Sequence, residues 1–175
     1  MHQTLCGKWR HSHTLSMMNN TFDTKITRYL TEQQVSFRLL LHETPAVTIE
    51  DAAKQRGIRT SQMVKSIVLR DMGNLYALAC APGDQSVDPK KVRALLECRR
   101  MTCVDLNLVP ELTGYQIGTV TPLLLKTPMS VIFDHKILLE DEVTISSGSN
   151  MAGIAIKRED LVKLCDPVFA DICRE

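Results

Sequence analysis

The sequence predicts a mixed α/β (α+β) single domain in which a curved mixed β-sheet is surrounded by short helices, and three observations lead there. The chain has 175 residues, 44% of them hydrophobic, which suits one domain with one substantial core. Short apolar runs of strand period alternate with short helical stripes, without internal repeats or a linker. These elements do not recur as βαβ units, which argues against a doubly wound parallel sheet.

Thr24 to Gln33 places Ile26, Tyr29 and Leu30 at i, i+3 and i+4, the stripe of an amphipathic helix. Val35 to His42 reads as a strand. Thr48 followed by Asp51 resembles a capping box and opens a helix from Ile49 to Arg56, which Gly57 stops. A short helix from Ser61 to Val64 leads into an apolar strand, and Asn74 to Cys80 is its hairpin partner across the turn at Asp71 to Asn74. Asp88 caps a helix with Pro89 at its favoured first position and Val92, Leu95 and Leu96 on one face.

Met101 to Val104 is a weak strand, a short helix lies around Leu108 to Leu112, and a loop punctuated by glycine and proline, TGYQIGTVTPLL, follows. Strands are expected at Met129 to Phe133, Val143 to Ser146 and Gly153 to Ile156. Helices from Glu159 to Leu164 and from Pro167 to Cys173 close the chain.

A formal charge of +1 gives no global field for polyanions, so a nucleic-acid partner must be held by a local patch. Six cysteines, at positions 6, 80, 98, 103, 165 and 173, show no CxxC pair and no zinc-ligand spacing. They read as reduced thiols of a cytoplasmic protein, with Cys80 a small core residue. No window approaches the roughly 18 apolar residues of a spanning helix. Residues 1–17 lack the apolar h-region of a secretion signal and carry Lys8, Arg10 and three histidines without an acid, so they are expected to be a leader outside the fold, with the domain at 18–175. His11-x-His13 offers a metal only two donors on that leader.

Within QMVKSIVLR, alternation puts Lys65 on the face of Ile67 and Leu69, with Val64, Ser66 and Val68 opposite. Two readings stand: a lysine at the strand's start that snorkels into water, or a cation at the mouth of a cavity. Two further elements could meet it. In GTVTP, Gly118 to Pro122, glycine allows a backbone that exposes N–H groups and proline stiffens the exit. Asp134 follows the strand Val131-Ile132-Phe133 in alternation with Ile132, and the turn SSGSN spans Ser146 to Asn150. A GxSxG elbow, an HExxH motif and a phosphate-binding glycine loop are all missing. With His42 and His135 the only histidines beyond the leader, an enzyme on this scaffold would rely on positioning and backbone donors.

The segments MVKSIVLR, VDPKKVRALL, ELTGYQIGTVTPLL, VIFDHKILL and VTISSGSNMAGIAIKREDLVKL, in this order and spacing, resemble the YbaK-like family of aminoacyl-tRNA editing domains, related to the insertion domain of bacterial prolyl-tRNA synthetase. The resemblance covers roughly Lys25 to Arg174 and implies a barrel-like sheet. It also implies a free-standing deacylase that hydrolyses in trans the ester of mischarged tRNA, with alanine, cysteine, serine and threonine all open as the amino acid. A second sieve is needed because a synthetase pocket rejects a smaller isostere by only about 1–3 kcal/mol per methylene.

By the same resemblance Lys65, Gly118 and Asp134 are the catalytic candidates, and Thr119, Val120, Thr121, Pro122, Ser147 and Gly148 bind substrate. Lys65 would contact the terminal adenosine or its phosphate, the loop would hold the aminoacyl group, and Asp134 would stand at the pocket rim. No metal or other cofactor is expected. The partners implied are the 3′ aminoacyl-adenosine end of tRNA and a synthetase, prolyl-tRNA synthetase among them; neither DNA nor a membrane is expected, and a monomer is expected with a dimer left open. The alternative is a non-catalytic module that binds tRNA ends or a synthetase in the same pocket. Two departures concern the substrate. The familiar GGxSPLG loop has Thr119 and Leu124 in place of glycines, which would narrow the sieve, and a turn arginine is replaced by Asn150.

Overall fold

A computed structural model of the protein describes residues 22–175. The expected leader, with Cys6 and His11-x-His13, lies outside the described residues. Helix α1 (Lys25–Glu32) starts at Thr24, whose hydroxyl accepts from the N–H of Thr27 while the Thr27 hydroxyl accepts from the N–H of Thr24. Its stripe buries Ile26 and Leu30 completely. Strand β1 (Phe37–Leu41) follows, then α2 (Ile49–Arg56), capped by the Thr48 hydroxyl and stopped by Gly57 at φ 70°. The reciprocal half of the expected capping box is displaced by one residue, since the Asp51 carboxylate accepts from Val47.

A 3-10 turn, Thr60–Gln62, feeds β2 (Val64–Arg70), which pairs antiparallel with β3 (Tyr76–Pro82) so that Lys65 faces Ala81 across the ladder. Helix α3 (Pro89–Leu96), the short β4 (Thr102–Cys103) and α4 (Val109–Thr113) lead to the GTVTP loop. Beyond it come β5 (Ser130–Asp134), a 3-10 turn at His135–Leu139, β6 (Glu142–Ser146), β7 (Ala152–Lys157), α5 (Arg158–Cys165) and β8 (Val168–Ala170).

The strands group into two sheets, β1-β7-β6 and β4-β2-β3-β5-β8. The first is antiparallel throughout, whereas β5 runs parallel to both β3 and β8 in the second. A bridge between Met63 and Thr144 joins the two at the start of β2. β3 is the central strand of the larger sheet, with both faces covered. Leu78 and Cys80 pack with Phe133, Ile145, Ile154 and Ile156 between the sheets. Ala77, Ala79 and Ala81 pack on the other side with Val92, Ile132 and Ile172. Each large side chain removed from water in this way contributes about 1.5–3 kcal/mol.

The expected final helix, Pro167 to Cys173, is not formed. Val168, Phe169 and Ala170 instead pair with Ile132, Phe133 and Asp134, and the Phe169 ring meets that of Phe133 edge-on at 5.8 Å. Pairing with an apolar strand and an aromatic contact outweigh a weak helical pattern, because β-branched and aromatic residues fit a half-buried pleat.

Candidate functional site

A cleft of about 260 Å³ opens where the two sheets meet, and the start of β2, the GTVTP loop and the 146–150 turn all reach it. Its apolar wall includes Val47, Ile49, Met63 and Val64; its polar wall includes His42, Arg56, Lys65, Ser146 and Asn150. Among the expected site residues, Lys65, Gly118 and Val120 are brought together here.

Lys65 lies on the face shared with Ile67 and Leu69, as alternation requires. Its ammonium neither snorkels freely nor stands bare, since it donates to the carbonyl of Gln85 just beyond β3. Gly118 has φ 85°, a region that costs other residues about 1–2 kcal/mol, and a Cβ built there meets nothing within 4 Å. Conformation, not space, therefore calls for glycine at this position. The N–H groups of Gly118 and Val120 donate to no acceptor among the described residues, whereas that of Thr119 is taken by Gln116. The Ser146 hydroxyl donates to the Thr119 carbonyl at 2.8 Å and accepts from the N–H of Gly148, fastening loop to turn.

Behind the cleft, Thr121, Pro122, Ser147 and Gly148 form a supporting layer. Thr121 is fully buried and its hydroxyl has no partner among the described residues. The Ser147 hydroxyl donates to Ala152, and Gly148, at φ 89°, lies against the Tyr115 ring. Tyr115 in turn donates its hydroxyl to the Leu123 carbonyl, pinning the far end of the loop.

Two expectations are corrected. Asp134 does not line this cleft. It is buried with its two oxygens accepting from the N–H groups of Lys136 and Ile172 at 2.9 Å, beside a separate depression that includes His135 and Cys173. Burial alone would raise its pKa, but those N–H groups, the Cys173 thiol and the Lys136 charge hold it below the ordinary value. Gln85 lies between this depression and Lys65, its carbonyl taking the Lys65 ammonium and its side-chain oxygen the Lys136 ammonium. Thr119 and Leu124 do not narrow the cleft either: the Thr119 hydroxyl turns to the Gln116 carbonyl, and Leu124 is 40% exposed.

Two residues of the polar wall were missed by sequence reasoning. Arg56, the last residue of α2, donates from Nε to Nε2 of His42 and from Nη1 to the Thr144 hydroxyl, both at 3.1 Å. Nδ1 of His42 lies 2.7 Å from the Asn150 carbonyl and must donate to it, while Nε2 accepts from Arg56, so the ring is neutral with its proton on Nδ1. Burial first, and then the Arg56 charge, lower the His42 pKa. The signal that could have found Arg56 is Gly153 inside an otherwise apolar strand, because a Cβ there would collide with Nε of Arg56. Among the described residues no group of three or more His, Cys, Asp or Glu is placed to hold a metal, and no helix is long and apolar enough to cross a membrane.

A profile of the aminoacyl-tRNA editing domain matches residues 43–164. The uncharacterized protein YwhH of Bacillus subtilis is 30% identical over 134 residues, 76% of this chain and 85% of that protein. Proline–tRNA ligase of Bacillus licheniformis is 32% identical over 95 residues, 54% of this chain but 16% of the ligase. In fold, the chain superposes with a TM-score of 0.77 on a candidate trans-editing enzyme for prolyl-tRNA synthetase, 23% identical, covering 89% of this chain and all of that one.

Proposed function

Because this chain belongs to the aminoacyl-tRNA editing domain family, we propose that it is a deacylase that removes a wrong amino acid from the 3′ end of tRNA in trans. The observation that carries this reading is that Gly118 and Val120, two residues of the cleft wall, keep N–H groups that no acceptor among the described residues takes. Such donors suit the oxyanion that develops when an ester carbonyl is attacked. Water, assisted by the terminal ribose 2′-hydroxyl, adds to the carbonyl carbon. The carbon–oxygen bond to the ribose then breaks, its oxygen takes a proton, and the free amino acid leaves.

In this scheme Lys65 holds the terminal adenosine or its phosphate, and Val120 with the apolar wall receives the acyl side chain. Alanyl, cysteinyl, seryl and threonyl esters are the substrates proposed, with prolyl-tRNA synthetase or another synthetase as the source of tRNA. Incubating the protein with a panel of labelled mischarged tRNAs tests the reading. Ester loss from one or more of these tRNAs, with correctly charged tRNA spared, is the expected result. Binding without ester loss across the panel would leave a non-catalytic tRNA-end module instead.

A further inference from the structure

Arg56 is a cation in search of an anion. No carboxylate lies within ion-pair distance of it among the described residues, where the ion pairs all involve other cations. Its two contacts are to neutral acceptors, the His42 ring and the Thr144 hydroxyl, which use only part of a five-donor fork. His42 cannot serve as counter-charge, because with Nδ1 donating a hydrogen bond to the Asn150 carbonyl and Nε2 accepting from Arg56 the ring is neutral. The guanidinium is also deliberately accommodated: it lies over Gly153 where any Cβ would collide with it. Burial is costly enough to its charged form to bring its pKa down to about 10. A half-buried, oriented, unneutralised guanidinium on a cleft wall has the geometry for bidentate phosphate recognition.

We infer that Arg56, held in place by His42, Thr144 and the bare backbone at Gly153, binds a phosphodiester of the RNA strand that enters the cleft. This rests on the deacylase reading for the identity of the ligand and adds a second cation, on a different element from Lys65. Lys65 stands at the head of β2 and donates to Gln85, whereas Arg56 at the end of α2 is a separate cation of the cleft wall. His42 is a positioning residue in this arrangement, since it touches the guanidinium and not the phosphate.

The test is the salt dependence of binding to uncharged tRNA, with Arg56→Gln and Arg56→Lys beside the parent and thermal melting to establish that each is folded. Each phosphate contact on a single strand contributes about 0.7 to the slope of log K against log salt. Arg56→Gln should lower the slope by that amount and weaken binding about ten-fold at low salt, while Arg56→Lys keeps the slope. A parent-like slope in folded Arg56→Gln overturns the inference. Should that variant fail to fold, inorganic phosphate decides: it must compete with tRNA for the parent protein and less well for Arg56→Lys, and equal competition overturns the inference. A parent protein that binds tRNA with the expected slope yet releases no amino acid would sink the deacylase reading alone.

Discussion

The ammonium of Lys65 donates to the main-chain carbonyl of Gln85, so the cation at the head of β2 is tied to the segment that leaves β3. Lys65→Ala removes that bond and should cost about 1 kcal/mol of stability. If the lysine also meets the tRNA end, deacylation should fall ten-fold or more in protein that remains folded. Lys65→Arg keeps the charge and changes the donor geometry. Melting curves and single-turnover ester loss, measured on both variants, separate the roles; parent-rate deacylation by Lys65→Ala would remove this lysine from the site.

At Gly118 the demand is conformational. Gly118→Ala should destabilise the protein by about 1–2 kcal/mol through its positive φ, without steric collision. Gly118→Asn, which tolerates the left-handed region better, should recover part of that loss. Denaturant midpoints for the pair check the ordering, and equal stability of all three proteins would contradict it.

Asp134 is expected to act on stability and not on chemistry. Asp134→Asn leaves one N–H, of Lys136 or Ile172, facing an amide that can no longer accept from both, at a cost of about 1–3 kcal/mol. Its folded pKa lies below 3.8, so the stabilisation is complete above that value and is lost as the pH falls through the lower one. Deacylation per folded molecule should match the parent, and a specific loss of turnover would return this carboxylate to the site.

His42 sets a second acid limb nearer neutrality. Its folded pKa is depressed from 6.5 by burial, then by Arg56, against the opposing pull of the Asn150 carbonyl and Asp51. The stability it contributes is therefore full above pH 6.5 and declines as acid charges the ring beside the guanidinium. Thermal melts across this range should show a decline in the parent that His42→Gln flattens.

Removal of metal should leave turnover intact, since the residues proposed for the reaction are backbone donors and a lysine. Activity before and after dialysis against a chelator checks this; loss that zinc restores would overturn the scheme.

The elements legible in the sequence are those whose signals are local. Thr48 and Gly57 bound α2, Asp88 and Pro89 start α3, and alternation correctly placed Lys65 opposite Val64 and Ser66. β8 was not legible because its partner is β5, far back in the chain, and no local pattern records that pairing. The same holds for the site. Gly118 and Val120 could be read from one loop, but Asp134 was diverted by the N–H of Ile172, and Arg56 gained its meaning from His42 just past β1, Thr144 on β6 and Gly153 on β7.

The pairing of β1 with β7, Phe37 against Ile156, has a kinetic consequence. The smaller sheet cannot close until nearly the whole chain is available, and a nascent chain held short of Ile156 would keep the apolar edge of β7's partners exposed. Loop-closure entropy must be met before such distant strands reward it, which slows refolding relative to a domain built from local contacts. The cleft, whose walls come from both sheets, is then among the last features to form, and activity should return no faster than that long-range closure.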